Sequence, residues 1–171
     1  LPPVRFTFAR HGRIRKARAG TPAVWAPRDG RSRDPTMDAA ALIVAGGRGV
    51  RAGGGMAKQY RQVGGMAVLR RAVLAFLGHP RIGCVRVVIH PDDGDLYREA
   101  VDRLELLAPV FGGATRQDSA RLGLESLGEH APAQVLIHDA ARPFVAPEVV
   151  SRVLDALAAF PGAIPALPVV D

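Results

Sequence analysis

The chain has 171 residues, of which 48% are hydrophobic and 23% charged, an ordinary balance for roughly one globular domain. No apolar run approaches the ~18 residues of a transmembrane span, and the one cysteine, Cys84, excludes an internal disulfide framework and a Cys-based zinc site. The net charge of +7 belongs to residues 1–36, with nine basic and two acidic side chains; the rest balances at fourteen of each, so a nucleic-acid-binding face is not expected.

Residues 1–36 also carry five prolines, the only tryptophan and no sustained apolar period, and are expected to be a disordered basic extension. Three readings fit them: sequence upstream of a start at Met37, a flexible native tail, or an Arg-rich, acid-poor targeting peptide. Residues 37–171 read as one domain. With a single cysteine, a reducing, cytoplasmic setting is expected. Arginine outnumbers lysine 21 to 2, and residues 37–171 keep one lysine, Lys58.

In chain order, Ala39–Val44 is a continuous apolar run and predicts a buried strand, followed by a glycine-rich segment from Gly46 to Gly55. Val68–Leu77 has helical spacing. Val85–Ile89 predicts a second buried strand, Asp95–Leu107 an amphipathic helix, and Pro109–Phe111 a short third strand before Gly112-Gly113. Ser119–Leu127 predicts a helix, Val135–His138 a fourth strand, and Pro147–Phe160 a helix with proline in its first turn. Ala163–Val169 begins a fifth strand. This alternation implies an α/β fold: an open, mostly parallel sheet with helices on both faces. Ligands bind such sheets beyond the carboxyl ends of the strands. Ending at Asp171 directly after a strand, the chain is expected to be incomplete at its C-terminus.

Three segments fall at predicted strand ends. The first is Ala45-Gly46-Gly47-Arg48-Gly49-Val50-Arg51, continuing to Lys58-Gln59-Tyr60. Glycines let backbone N–H groups ring a phosphate chain, and Arg51 and Lys58 add charge able to follow a phosphoryl transition state. The segment is not an ATPase loop, because Lys58 lies between Ala57 and Gln59. It matches the dinucleotide fingerprint only as Gly47-x-Gly49-x-x-Ala52, without the acid that fingerprint needs ~20 residues on, which disfavours a dehydrogenase. The second segment is Gly112-Gly113-Ala114-Thr115-Arg116-Gln117-Asp118-Ser119. There Ser119 suits a helix cap or a ligand contact, and Arg116 a surface salt bridge or a ligand contact. The third is His138-Asp139-Ala140-Ala141-Arg142-Pro143-Phe144. Asp139 suits a Mg²⁺ ligand beside nucleotide phosphates, a helix cap, or a partner for Arg142; His138 suits packing beside the strand.

Together and in this order, the three segments closely resemble the 2-C-methyl-D-erythritol 4-phosphate cytidylyltransferases, over about residues 39–171. The tail from Ala163 to Asp171 fits as well, and Val87-Val88-Ile89-His90-Pro91-Asp92-Asp93 is similar to the bifunctional form, in which a cyclodiphosphate synthase follows. The resemblance implies a Rossmann-like nucleotidyltransferase fold, with residues 37–171 as the N-terminal part of the domain. It implies transfer of a cytidylyl group from CTP to 2-C-methyl-D-erythritol 4-phosphate, releasing pyrophosphate, in non-mevalonate isoprenoid synthesis. It implies catalytic roles for Arg51 and Lys58. Nucleotide binding would fall to Ala45, Gly46, Gly47, Gly49, Gly113, Ser119, Ala140 and Arg142, and Mg²⁺ or another divalent cation to Asp139. It further implies a homodimer for the full-length protein, and no membrane. Ala57, Ala52 and Ala114 replace the family's usual proline, methionine and polar residue. The threonine of its Asp-Thr segment and the second-substrate contacts that follow are absent, so little or no turnover is expected of residues 1–171 alone. Alternatives are a related nucleotidyltransferase, such as a molybdenum cofactor guanylyltransferase, or an inactive nucleotide-binding fragment.

Overall fold

The computed structural model describes residues 39–47 and 56–167. The basic extension, Gly49, Arg51 and residues 168–171 lie outside the described residues.

Four parallel strands form the main sheet in the order β5-β4-β1-β6. They are β1 (Ala39–Ala45), β4 (Ile82–Ile89), β5 (Val110–Phe111) and β6 (Gln134–Asp139). β1 is central, with Val44 beside Val88 on one side and Asp139 on the other. Helices cover both faces, so β1 and β4 bury side chains in both directions and read as continuous apolar runs.

One face carries α1 (Val68–Leu77), whose Leu69, Val73 and Phe76 pack with Ile43, Val87 and Ile89, together with Leu154 of α4 (Pro147–Ala159). Fully burying each of these large side chains contributes roughly 1.5–3 kcal/mol. The opposite face carries α3 (Arg116–Ser126), over Ala40, Leu42 and Val88. Gly123 lets that helix approach closely: a Cβ there would stand 2.7 Å from Leu42 and from Val88.

Differences from the sequence reading are local. β2 (Gln62–Val63) and β3 (Met66–Ala67) form a small antiparallel hairpin before α1. Gly64 and Gly65, at φ +56° and +71°, supply the two left-handed residues such a tight turn requires. α2 covers Gly94–Ala100 rather than extending to Leu107. Arg103 adopts φ +60°, and Arg70 Nη1 donates to Ala100 O and Asp102 O, closing the chain off there. α3 begins at Arg116 and is capped by Thr115, whose Oγ1 accepts from Asp118 N at 3.0 Å. Ser119 therefore lies inside the helix and is not its cap. Residues 163–167, expected to open a fifth strand, form no strand.

Candidate active site

From β1 the chain moves outward through β4 to β5, then returns across the sheet by α3 to β6 on the other side of β1. The strand order thus reverses between β1 and β6, a topological switch point, and open α/β sheets bind ligands at such points beyond the strand ends. All three sequence segments leave strands at this edge, after Ala45, Phe111 and Asp139.

Gly46 and the Gly112-Gly113 pair meet around Ser119. A Cβ on Gly46 would lie 3.4 Å from Ser119 Oγ and 3.9 Å from Gly112 Cα. A Cβ on Gly112 would lie only 2.6 Å from the same oxygen, and one on Gly113 2.5 Å from Asp118 Cβ. These glycines allow two chain segments to close on the helix start. Ser119 is 2% exposed; its Oγ accepts from Gly113 N at 3.2 Å and donates to Thr115 O at 2.9 Å. It holds the double-glycine turn against α3.

The third segment is folded back on itself. Arg142 N donates to Asp139 O at 3.0 Å, Ala140 N donates to Val44 O at 3.0 Å, and His138 Nε2 donates to Arg142 O at 2.8 Å. His138 also stacks obliquely on Phe76, with centroids 4.9 Å apart, matching its expected place beside the strand. Ala140 is buried at 1% exposure.

Asp139 is bracketed by two arginines. Arg116 donates Nε at 3.0 Å and Nη2 at 2.8 Å to Oδ1, while Arg142 Nε lies 3.3 Å from Oδ2. Burial pushes the Asp139 carboxyl up. The Arg116 hydrogen bond and the charges of Arg116, Arg142 and His138 outweigh it and hold the group below its ordinary value. The salt-bridge reading of Arg116 is therefore the observed one, and its partner is the acid singled out for metal binding.

Lys58 opens a 3₁₀ turn, Lys58–Tyr60, and is exposed. The next residue, Gln59, received no role from its sequence position. It is 4% exposed, and its Nε2 donates to Ala45 O at 2.6 Å and Gly47 O at 3.1 Å. The signal in the sequence is its place in the Lys58-Gln59-Tyr60 signature close behind the glycine-rich segment. A cavity of about 510 Å³ lies behind this turn, lined by Tyr60, Arg70, Leu96, Glu99 and Arg103 among others; among the described residues, no candidate site residue lines it.

The family model for 2-C-methyl-D-erythritol 4-phosphate cytidylyltransferase matches residues 39–171. The chain belongs to this family. That membership decides against the guanylyltransferase alternative. Among curated relatives, the bifunctional enzyme IspD/IspF of Paramagnetospirillum magneticum is 55% identical over 130 residues, 76% of this chain and 34% of its own. The enzyme of the same name from Rhodospirillum rubrum is 56% identical over 133 residues, 77% of this chain and 35% of its own. The chain thus spans about a third of the length of these relatives. A solved structure of 4-diphosphocytidyl-2C-methyl-D-erythritol synthase from Anaerococcus prevotii superimposes with a TM-score of 0.59 at 28% identity, covering 70% of this chain and 51% of that one. A nucleotidyl transferase from Methanothermobacter, 20% identical with a TM-score of 0.55 over 68% of this chain and 56% of that one, shares the fold. The chain thus shares its fold with solved nucleotidyltransferases.

Proposed function

We propose that this chain supplies the nucleotide-binding half of an enzyme that transfers a cytidylyl group from CTP to 2-C-methyl-D-erythritol 4-phosphate and releases pyrophosphate, a step of non-mevalonate isoprenoid synthesis. The observation that carries this reading is the gathering of three family-specific loops at one strand edge, around Gly46, Ser119 and Asp139.

The base falls to the backbone of Ala45, Gly46 and Gly47 with Gly113 and Ser119; at Gly47 a Cβ would meet nothing within 4 Å, so the main chain there is open to a flat ring. Gly49 continues that loop. Ala140 and Asp139 lie on the ribose side, and Arg142, with Nε 3.3 Å from Asp139 Oδ2, helps hold the Asp139 region. Lys58 and Arg51 stabilise charge on the α-phosphate as the substrate phosphate attacks and pyrophosphate leaves. Nucleotidyl transfer of this kind needs mostly alignment and charge stabilisation.

Mg²⁺ is the proposed cofactor. Among the described residues no group of three His, Cys, Asp or Glu could hold an ion alone, and both oxygens of Asp139 have arginine partners. The donor set fits a cation that arrives with phosphate ligands of its own, because Mg²⁺ commonly combines one or two carboxylates with substrate phosphates. Asp139 would hold it, and it would neutralise phosphate charge. A homodimer of the full-length protein, a second activity in a longer chain and a cytoplasmic setting belong to the same proposal. No described helix is long and apolar enough to cross a membrane.

The test is a chimaera in which residues 39–171 replace the matching segment of the Rhodospirillum rubrum relative. Pyrophosphate release that requires both CTP and 2-C-methyl-D-erythritol 4-phosphate is expected. A folded chimaera that releases none, or prefers GTP, contradicts the proposal.

A further inference from the structure

Gln59 sits between the exposed Lys58 and the buried Tyr60, which is 5% exposed and belongs to the core that includes Ala45, Leu69 and Tyr97. Tyr60 N donates to Ala57 O at 2.9 Å and Arg61 N to Lys58 O at 3.2 Å, so the turn is held by its own backbone. Gln59 adds something different. A carboxamide nitrogen has two hydrogens, and those of Gln59 go to two carbonyls at the end of β1, fourteen and twelve positions earlier. The start and the end of the glycine-rich loop are thereby fastened to one side chain.

The choice of carbonyls has a second effect. In a planar trans peptide the C=O and the N–H point in opposite directions. Because Ala45 O faces Gln59, the Gly46 N–H points away from it. Gly46 is also the residue at which an added Cβ would face Ser119 Oγ at 3.4 Å and Gly112 Cα at 3.9 Å.

We propose that Gln59 is a positioning residue of the nucleotide site: it ties the two ends of the glycine-rich loop together, which sets where Lys58 is rooted and which way the Ala45–Gly46 peptide presents its N–H. What the loop does rests on the function proposed above; the tie itself can be tested without ligand. The chemistry explains why glutamine is required. Glutamate would set a carboxylate against two carbonyl oxygens, asparagine is one methylene short, and methionine fills the volume but leaves Ala45 O without its donor.

Two measurements test this. In the wild-type chain, the side-chain amide protons of Gln59 should exchange with solvent about five- to tenfold more slowly than those of the half-buried or exposed Gln62, Gln117 and Gln134, as expected for protons held in buried hydrogen bonds. Equal exchange overturns the proposal, and this reading needs no variant to fold. In Gln59→Met, backbone hydrogen exchange should accelerate about fivefold or more at residues 45–47 and 57–59 while β4 and α4 stay unchanged. Acceleration everywhere in proportion marks a merely structural role and also overturns it. A CTP titration of both chains separates this claim from the function: a wild type that ignores CTP counts against the function alone, whereas a wild type that prefers CTP and a Gln59→Met chain that binds it equally well count against the positioning role.

Discussion

Two N–H groups of Arg116, Nε at 3.0 Å and Nη2 at 2.8 Å, converge on a single oxygen of Asp139. The contact joins the first turn of α3 to the end of β6 and so ties the second signature segment to the third. Asp139 Oδ2, facing Arg142 Nε at 3.3 Å, is the more loosely held oxygen. In the proposed nucleotide site, it is the atom of this carboxylate more readily available to a cation brought in by phosphates.

The pair is partly exposed, at 65% for the Arg116 side chain and 34% for that of Asp139, so its effect on stability is modest. Arg116→Ala should cost less than about 1 kcal/mol, read by denaturant melts. The same variant should move the Asp139 carboxyl titration upward, toward the ordinary range, in carboxyl-carbon NMR. An unmoved titration would mean that Arg116 is not what holds it down.

Because the folded Asp139 titrates below its ordinary value, its stabilising contribution is present above the unfolded value of about 3.9 and is lost as pH falls through the folded one. The difference in Tm between the wild type and Asp139→Asn should therefore be largest near neutral pH and shrink below about pH 4. A difference independent of pH would contradict this assignment.

The buried hydroxyl of Ser119 holds Gly113 N and Thr115 O. Ser119→Ala should cost about 1–3 kcal/mol, since it leaves a partly buried donor unmatched at the helix start. Thr115→Ala removes the N-cap and should cost about 1 kcal/mol. Both follow from chemical denaturation. A neutral Ser119→Ala would show that water or a shifted backbone replaces the hydroxyl.

Gly123 faces Leu42 and Val88 with no room for a Cβ. Gly123→Val should destabilise by about 1–3 kcal/mol through overpacking, exceeding any gain in helix propensity. A variant as stable as the wild type would mean that α3 can withdraw from the sheet.

These predictions depend on how unevenly the sequence discloses the structure. β1 and β4 are legible because burial on both faces turns them into unbroken apolar runs. α1 and α4 are legible because one apolar stripe recurs at helical spacing. The β2–β3 hairpin is hidden, since two-residue strands carry no period and only Gly64-Gly65 hints at the turn. The early end of α2 is hidden for another reason: Leu104 and Leu107 continue the apolar pattern, but Leu107 N bonds Val85 O beside β4 instead of continuing the helix. At the site, the signature residues could be picked out one by one from strand ends and family likeness. Which of them touch could not. Asp139 with Arg116, and Gln59 with Ala45, are separated by 23 and 14 positions and meet only through the sheet order.

If Lys58 stabilises the transition state, Lys58→Ala in the chimaera should lower the rate ~10²–10³-fold with little change in Tm, because the side chain is exposed. A loss below tenfold would remove Lys58 from the charge-stabilising role.

The central claim is that the three loops form a site selective for a cytidine nucleotide. It is tested most directly by thermal melts of residues 37–171 with Mg²⁺ and either CTP, GTP or ATP. A cooperative transition raised by CTP and much less by the other two is the predicted result. A cooperative transition raised equally by all three, or by none, contradicts it.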